Sequence, residues 1–217
     1  SKLTLAVLPI RNLCPDNTHQ FFADGLGEEL TRIFSTSSDI DVISHHSTRK
    51  YATEQTDMRI IGQDLGVHYL ITGSVMRTNK EIRINIGLAE TFKSTQIWSK
   101  SYKHTLDIDN LLDIQDQIME DVFSVLGGYY GFIVRNRVHS VQRKNFSDLQ
   151  SFDAVLWNYY FHMNFSREAY LKTREALEQA LERDPDFATG AALLGELYLD
   201  AYTLGYPTVE DPVSKSY

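Results

Sequence analysis

Cysteine is nearly absent: Cys14 is the one example in 217 residues. A lone cysteine excludes an internal disulfide and a zinc site built from several thiolates, while leaving the redox compartment open. Positive charge is also scarce. Lys and Arg total 21 against 29 Asp and Glu, for a net charge of -8, and from Leu111 onward the counts are 9 against 16. A broad nucleic-acid footprint needs a basic face, so this chain is not expected to bind nucleic acid. No run approaches the ~20 apolar residues of a membrane-spanning helix, so membrane insertion by this chain is not expected either. There is no initiator methionine and no signal-peptide pattern, since Ser1-Lys2 leads straight into a strand-like run. The expectation is a piece of a longer protein.

What is present suits one large or two modest globular domains, with 42% hydrophobic and 23% charged residues. The clearest pattern runs from Val67 to Tyr102. Ile82, Ile84, Ile86 and Leu88 alternate with Arg83, Asn85, Gly87 and Ala89, which predicts a strand with one buried and one wet face. Val67 to Val75 precedes it, Thr78-Asn79-Lys80-Glu81 is a hairpin-length connector, and Gln96 to Lys103 makes a third strand. Upstream, Leu3 to Leu8 is apolar on both faces, as in a central strand, and Pro9 ends it. Asn12 to His19 reads as a loop. Phe22, Leu26, Leu30, Ile33 and Phe34 predict an amphipathic helix, and Ile40 to Ile43 a short strand. Ser44 to Thr56 reads as irregular loop. Thr56 or Asp57 caps a helix that buries Ile61 and Leu65 and stops at Gly66 in a left-handed cap.

From Leu111 the period becomes helical, with Leu111, Ile114, Ile118, Val122, Val125 and Leu126 in one stripe. Arg135 to Lys144 reads as the tail of that helix. Ser147-x-x-Gln150 has the capping-box spacing, and three helices follow over 149–163, 166–183 and 187–204. The expected fold is therefore an α/β (α+β) domain over 1–146, with a mixed sheet and an antiparallel meander, and an all-α region over 147–217.

No set of residues here carries catalysis. Gly25-x-Gly27 is half a dinucleotide fingerprint, without the third glycine and too far from the first strand, so helix-start geometry is the plainer reading. His45-His46 lacks a spaced carboxylate and reads as a solvated loop pair. Asp39 and Asp41, or Asp107 and Asp109, lack the companions that two-metal chemistry needs and read as turn and cap residues. Cys14 has no nucleophile signature. No catalytic, cofactor-binding or metal-binding residue is assigned, and no cofactor is expected. The loop after the first strand, with Asn12, Asp16 and Phe21, is the candidate interaction surface in the first domain, although Phe22 beside it suits core anchoring. Trp157, Tyr159, Tyr160 and Phe161 either pack or wall a peptide groove; Trp157 and Tyr160 are the candidates there, with Tyr198 further on.

Two resemblances follow from motifs. Leu177, Ala180 and Pro185, then Leu194-Gly195-x-x-Tyr198, and Trp157 at 34 residues before Ala191, resemble tetratricopeptide repeats. Phe161 and Asn164 depart from that pattern in the first unit. The resemblance implies a protein or peptide partner for the helices and self-association through the open face of the last repeat. The second covers roughly residues 3 to 126: Ala6-Val7-Leu8-Pro9 with Asn12-Leu13, Phe22-Ala23-Asp24-Gly25-Leu26 with Glu28-Glu29, Ile61-Gly62 with Leu65-Gly66-Val67, Gly73-Ser74-Val75, Arg83-Ile84, Ile97-Trp98 and Ile114-Gln115-Asp116. It resembles the TolB-like amino-terminal domain of bacterial signalling proteins. Thr72 departs from the acidic residue usual before Gly73, and the 90–96 turn departs from the family's. In that family the domain commonly precedes tetratricopeptide repeats and follows either a class III adenylate cyclase catalytic domain or a winged-helix DNA-binding domain. The resemblance implies a non-catalytic regulatory and interaction module in signal transduction, regulating cyclic AMP synthesis or transcription by a domain outside this chain. Its location is then cytoplasmic, or periplasmic if a membrane span lies upstream.

Overall fold

The computed structural model describes residues 3–14, 17, 19–52, 56–78, 80–105, 111–127, 131–142, 144 and 149–206. Contacts group the chain into two compact units, Lys2–Gly128 and Tyr129–Tyr217.

The first unit is built on a six-stranded mixed sheet. Its strands are β1 (Leu3–Val7), β2 (Arg11–Asn12), β3 (Ile40–Val42), β4 (Tyr69–Arg77), β5 (Glu81–Glu90) and β6 (Thr95–Thr105). The order is β3-β1-β4-β5-β6, with β2 also on β4. β1 runs parallel to both β3 and β4, and β4, β5 and β6 form the antiparallel meander. β1 is buried almost throughout, with Leu3, Leu5, Ala6 and Val7 at 1% exposure or less. A strand covered on both faces reads as a continuous apolar run because neither face meets water.

Pro9 does not end the strand for good. Val7 pairs with Ile71, and Arg11 then pairs with Ser74, so three residues from Leu8 to Ile10 face only Thr72 and Gly73. Leu8 N–H still donates to Ile71 O at 2.9 Å, and Leu13 N–H to Val75 O at 2.8 Å. Proline has no N–H, so the chain bulges around it and resumes pairing as β2. The loop expected from Asn12 therefore begins one residue later.

Helix α1 (Gln20–Phe34) buries Phe22, Ala23, Leu26, Gly27, Leu30 and Phe34. The 3.6-residue period places these on one face, and each buried Leu or Phe contributes about 1.5–3 kcal/mol before chain entropy is counted. His45 to Tyr51 is helical rather than loop. The short α2 (His45–Thr48) is capped by Ser44, whose Oγ accepts from His46 N–H, and a 3-10 turn covers Arg49–Tyr51. Hydroxyl capping explains this outcome, and the polar composition concealed it.

Helix α3 (Met58–Leu65) starts and stops as its sequence predicts. Asp57 is the N-cap, its carboxylate accepting from Arg59 N–H at 2.8 Å, and Gly66 closes the helix at φ +66°. Ile61 of α3 packs with Ala6, Val67 and Leu70 on one sheet face, joined by Leu8, Ile43, Tyr51, Met58 and Leu65. Along β5 the period-two pattern holds, with Ile82, Ile84, Ile86 and Leu88 at 1% exposure or less. Gly87 and Ala89 are buried as well, so the second half of β5 is covered on both faces.

The Asp57 cap is also electrostatic. The Arg59 side chain, followed by its backbone N–H, holds the Asp57 carboxyl down at about 2. The native state therefore takes up fewer protons than the unfolded chain between the ordinary carboxylate range, about 3.9, and that value. This contribution is complete above about pH 4 and is lost as pH falls toward 2. Asp57→Asn keeps the capping oxygen but does not titrate. The excess of wild-type over variant melting temperature at neutral pH should have mostly gone by pH 2, which thermal melts at the two pH values will check.

Helix α4 (Leu111–Leu126) buries Ile114, Ile118, Met119, Val122 and Leu126 and packs on α1, with the Phe34 and Phe123 rings edge-on at 5.5 Å. The basic stretch is not its tail. A separate helix, α5 (Phe132–Val141), has Gly131 as its N-cap in extended conformation. Glycine favours caps and disfavours helix interiors, which accounts for the break.

In the second unit, α5 packs against α6 (Ser151–Asn164), α6 against α7 (Arg167–Arg183), and α8 (Ala188–Leu204) against both α6 and α7. Gln150 is the N-cap of α6, and its N–H donates to Asp153 Oδ2 at 3.0 Å. Ser147 lies outside the described residues. Phe165 ends α6 at φ +42°, and the Tyr206 hydroxyl donates to its carbonyl at 2.7 Å.

Candidate functional site

The site is a cleft between α1 and the start of α4. It has a volume of about 500 Å³ and is lined by Phe21, Phe22, Gly25, Glu28 and Glu29 from α1 and by Leu111, Leu112 and Gln115 from α4. Phe21 is 67% exposed and Leu112 is 73% exposed. Neighbouring positions on α1 divide the labour, since Phe22, at 2% exposure, anchors the helix to the core while Phe21 faces outward. Gly25 lines the cleft between Phe21, Phe22 and Glu28, Glu29 along α1. A methyl group there would find only Gln115 Oε1, at 3.8 Å, so glycine leaves the cleft open and is not forced by backbone geometry.

The surroundings are acidic. Glu29 is ion-paired with Arg32 at 2.6 Å, and Glu28 lies 3.7 Å from Arg49 and 3.9 Å from His45 Nδ1. α4 carries Asp113, Asp116, Glu120 and Asp121 without a lysine or arginine. Asp121 has a structural task. It accepts from Lys100 Nζ at 2.7 Å and from the Tyr102 hydroxyl at 2.5 Å, tying α4 to β6. The Lys100 hydrogen bond, then that of Tyr102, lowers its pKa, while burial and the carboxylate raise that of Tyr102.

The glycine pair lies in the interior of α1 rather than at its start. Gly27 seats the His45 ring, whose Nε2 would be 3.1 Å from an added Cβ. His45 is therefore not part of a solvated pair: its side chain is 14% exposed and only His46 is open. A short helix capped at Ser44 turns the ring inward. Among the described residues no group of three or more His, Cys, Asp or Glu converges as a metal site would require. Asp39 precedes β3 and Asp41 lies within it; Asp107 and Asp109 fall outside the described residues.

The sequence candidates separate in space. Phe21 lines the cleft. Asn12 sits in β2, half-buried, and its Oδ1 accepts from Cys14 N–H at 3.0 Å. Asp16 lies outside the described residues. Trp157 is 4% exposed, and its carbonyl accepts from the buried Thr173 hydroxyl at 2.8 Å. Tyr160 is half-buried, with its ring edge-on to Trp157 at 5.5 Å. Tyr198 is 5% exposed and donates to Glu178 Oε1 at 2.8 Å; burial, then Glu178, raises its pKa. Leu112 is not among the residues that the apolar stripe of α4 singles out in the sequence. Its signal was a leucine one position off that stripe, next to Leu111.

No family model matches the chain. Over 199 residues it is 26% identical to a protein of Rhizobium meliloti (strain 1021) named "Putative adenylate cyclase 3". The alignment covers 92% of this chain and 33% of that protein, so the chain spans about a third of its relative's length. Among solved structures, lipoprotein GNA1162 from Neisseria meningitidis is similar at 12% identity and a TM-score of 0.43, over 56% of this chain and 99% of that one. TolB from Acinetobacter baumannii is similar at 16% identity and a TM-score of 0.39, over 60% of this chain and 30% of that one.

Proposed function

We propose that this chain is a non-catalytic regulatory and protein-interaction module of a larger bacterial signalling protein, and that its output is cyclic AMP synthesis by a domain outside this chain. The observation that carries the reading is the α1–α4 cleft. Two large apolar side chains, Phe21 and Leu112, stand mostly in water on opposite walls of a concavity, an arrangement that suits a binding surface better than a core. The long alignment with a relative named as an adenylate cyclase supports the choice of output. In this reading α6, α7 and α8 begin a tetratricopeptide array that continues the interaction surface, with Trp157 and Tyr198 as packing residues within it and Tyr160 at its edge.

The test is nucleotide turnover. This chain alone, incubated with ATP and divalent cation, should form no cyclic AMP above a protein-free control by chromatographic assay. Robust turnover by the purified chain would overturn the reading.

A further inference from the structure

We propose a second site, a groove at the carboxyl end of β1 that binds a small monocarboxylate with an apolar body. This inference is independent of the cleft and of the cyclase reading.

The topology marks the place. After β1 the chain bulges at Pro9, pairs with β4 again as β2, crosses by α1 to β3 on one side of β1, then returns by α3 past β1 to β4 on the other. The point between β1 and β4 is where the connections diverge, and in open α/β sheets the crevice outside the strand ends at such a point is where ligands bind. The bulge around Pro9 opens that crevice here. A cavity of about 450 Å³ lies there, walled on its apolar side by Pro9, Tyr51, Met58 and Ile61 and reaching Arg11, Thr72 and Gln96. A smaller one of about 170 Å³ adjoins it, sharing Arg11, Thr72, Gly73 and Gln96 and adding Asn85 and Ser99.

Among the described residues the lining has one apolar end, one neutral polar end and a single cation shared by both cavities. Arg11 lines both cavities, and no carboxylate of the described residues lies within ion-pair distance of it. Asp24 lines a third cavity with Arg11 but bonds instead to Gln20 Nε2 at 2.9 Å. Tyr51 is held in place because its hydroxyl and Lys50 both donate to Asp64. Gly87 gives the polar end its room: a methyl group there would be 3.0 Å from Gln96 Nε2 and 3.1 Å from Thr72 Oγ1, so glycine lets both side chains approach the same spot.

This pattern selects the ligand. A guanidinium offers two parallel N–H groups to a carboxylate. One cation among neutral hydroxyls and amides matches one negative charge, and a phosphate group would bring more charge than Arg11 answers. The wall of Pro9, Tyr51 and Met58 suits an aromatic or aliphatic body attached to that carboxylate.

Amide NMR titration at low salt with 4-hydroxyphenylacetate, acetate and inorganic phosphate tests the proposal on the whole chain. The aryl acid should shift the amides of Thr72, Gly73, Gly87 and Gln96 saturably, and both acetate and phosphate should bind more weakly. Arg11→Gln should weaken the aryl acid about ten-fold or more, the loss expected for one charge-assisted hydrogen bond. Should that variant fold poorly, Met58→Gln reads the apolar wall in its place, again with weaker binding expected. Absence of saturable shifts with the aryl acid overturns the site. Equal affinity in a folded Arg11→Gln, tighter binding of phosphate, or acetate as good as the aryl acid overturns the ligand class.

Discussion

Trp157→Ala should destabilise the second unit by about 3–5 kcal/mol, the range for removing a buried aromatic side chain. The indole is 4% exposed, and its ring meets Tyr160 edge-on at 5.5 Å. The backbone carbonyl of the same residue holds the buried Thr173 hydroxyl of α7, so collapse around the cavity would also disturb the α6–α7 contact. Tyr160→Ala removes the half-buried partner of that ring pair and should cost far less, about 1 kcal/mol. Urea denaturation followed by circular dichroism, with amide exchange across α6 to α8, separates the two. A Trp157→Ala variant within about 0.5 kcal/mol of wild type, as a surface substitution would be, would mean that the indole works as an exposed groove wall after all.

Gly62→Ala should destabilise the first unit although it improves helix propensity. A Cβ at position 62 would be 2.4 Å from Thr91 Cβ and 2.8 Å from both Thr91 Cγ2 and Oγ1. Thr91 cannot yield. It is 5% exposed, its hydroxyl donates to Val67 O at 2.7 Å, and its N–H donates to His68 O at 3.0 Å. Its branched side chain is stiff as well. Overpacking costs about 1–3 kcal/mol, and the gain from replacing glycine in a helix is about 1 kcal/mol. The 2.4 Å approach puts the cost at the upper end of that range, so the expected net loss is up to about 2 kcal/mol, and larger for Gly62→Val. Thr91→Ala should not rescue it, because the nearest atom is Cβ itself, whereas Thr91→Gly removes the conflict. Thermal melts of the single and double variants check both statements, and a Gly62→Ala chain more stable than wild type contradicts them.

These positions also show how far the sequence could be read. Ile82 to Leu88 announced a strand because burial of one face forces a period of two, and Asp57 and Gly66 bracketed α3 because caps are local chemistry. Gly27 and Gly62 were opaque for the opposite reason. Their roles depend on His45 and Thr91, which lie 18 and 29 residues away and reach them only through the tertiary fold. The break between α4 and α5 is not legible in the sequence, because glycine weakens a helix without fixing whether it ends. The cleft was half legible. Phe21 stood beside a core residue in an apolar doublet, but its counterpart Leu112 comes from a helix that begins 90 residues later. The switch-point groove was not legible, since Arg11, Tyr51, Thr72 and Gln96 come from four separate segments.

The most direct test of the regulatory account is to plug the α1–α4 cleft in the full-length protein with Gly25→Trp and measure cyclic AMP formation. An added Cβ at position 25 meets only Gln115 Oε1, at 3.8 Å, so the side chain starts into open space, and a thermal melt verifies that the fold survives the indole. The account predicts a several-fold change in the rate of cyclic AMP formation with the fold intact. A folded, plugged protein that forms cyclic AMP at the wild-type rate under every condition tested would contradict it.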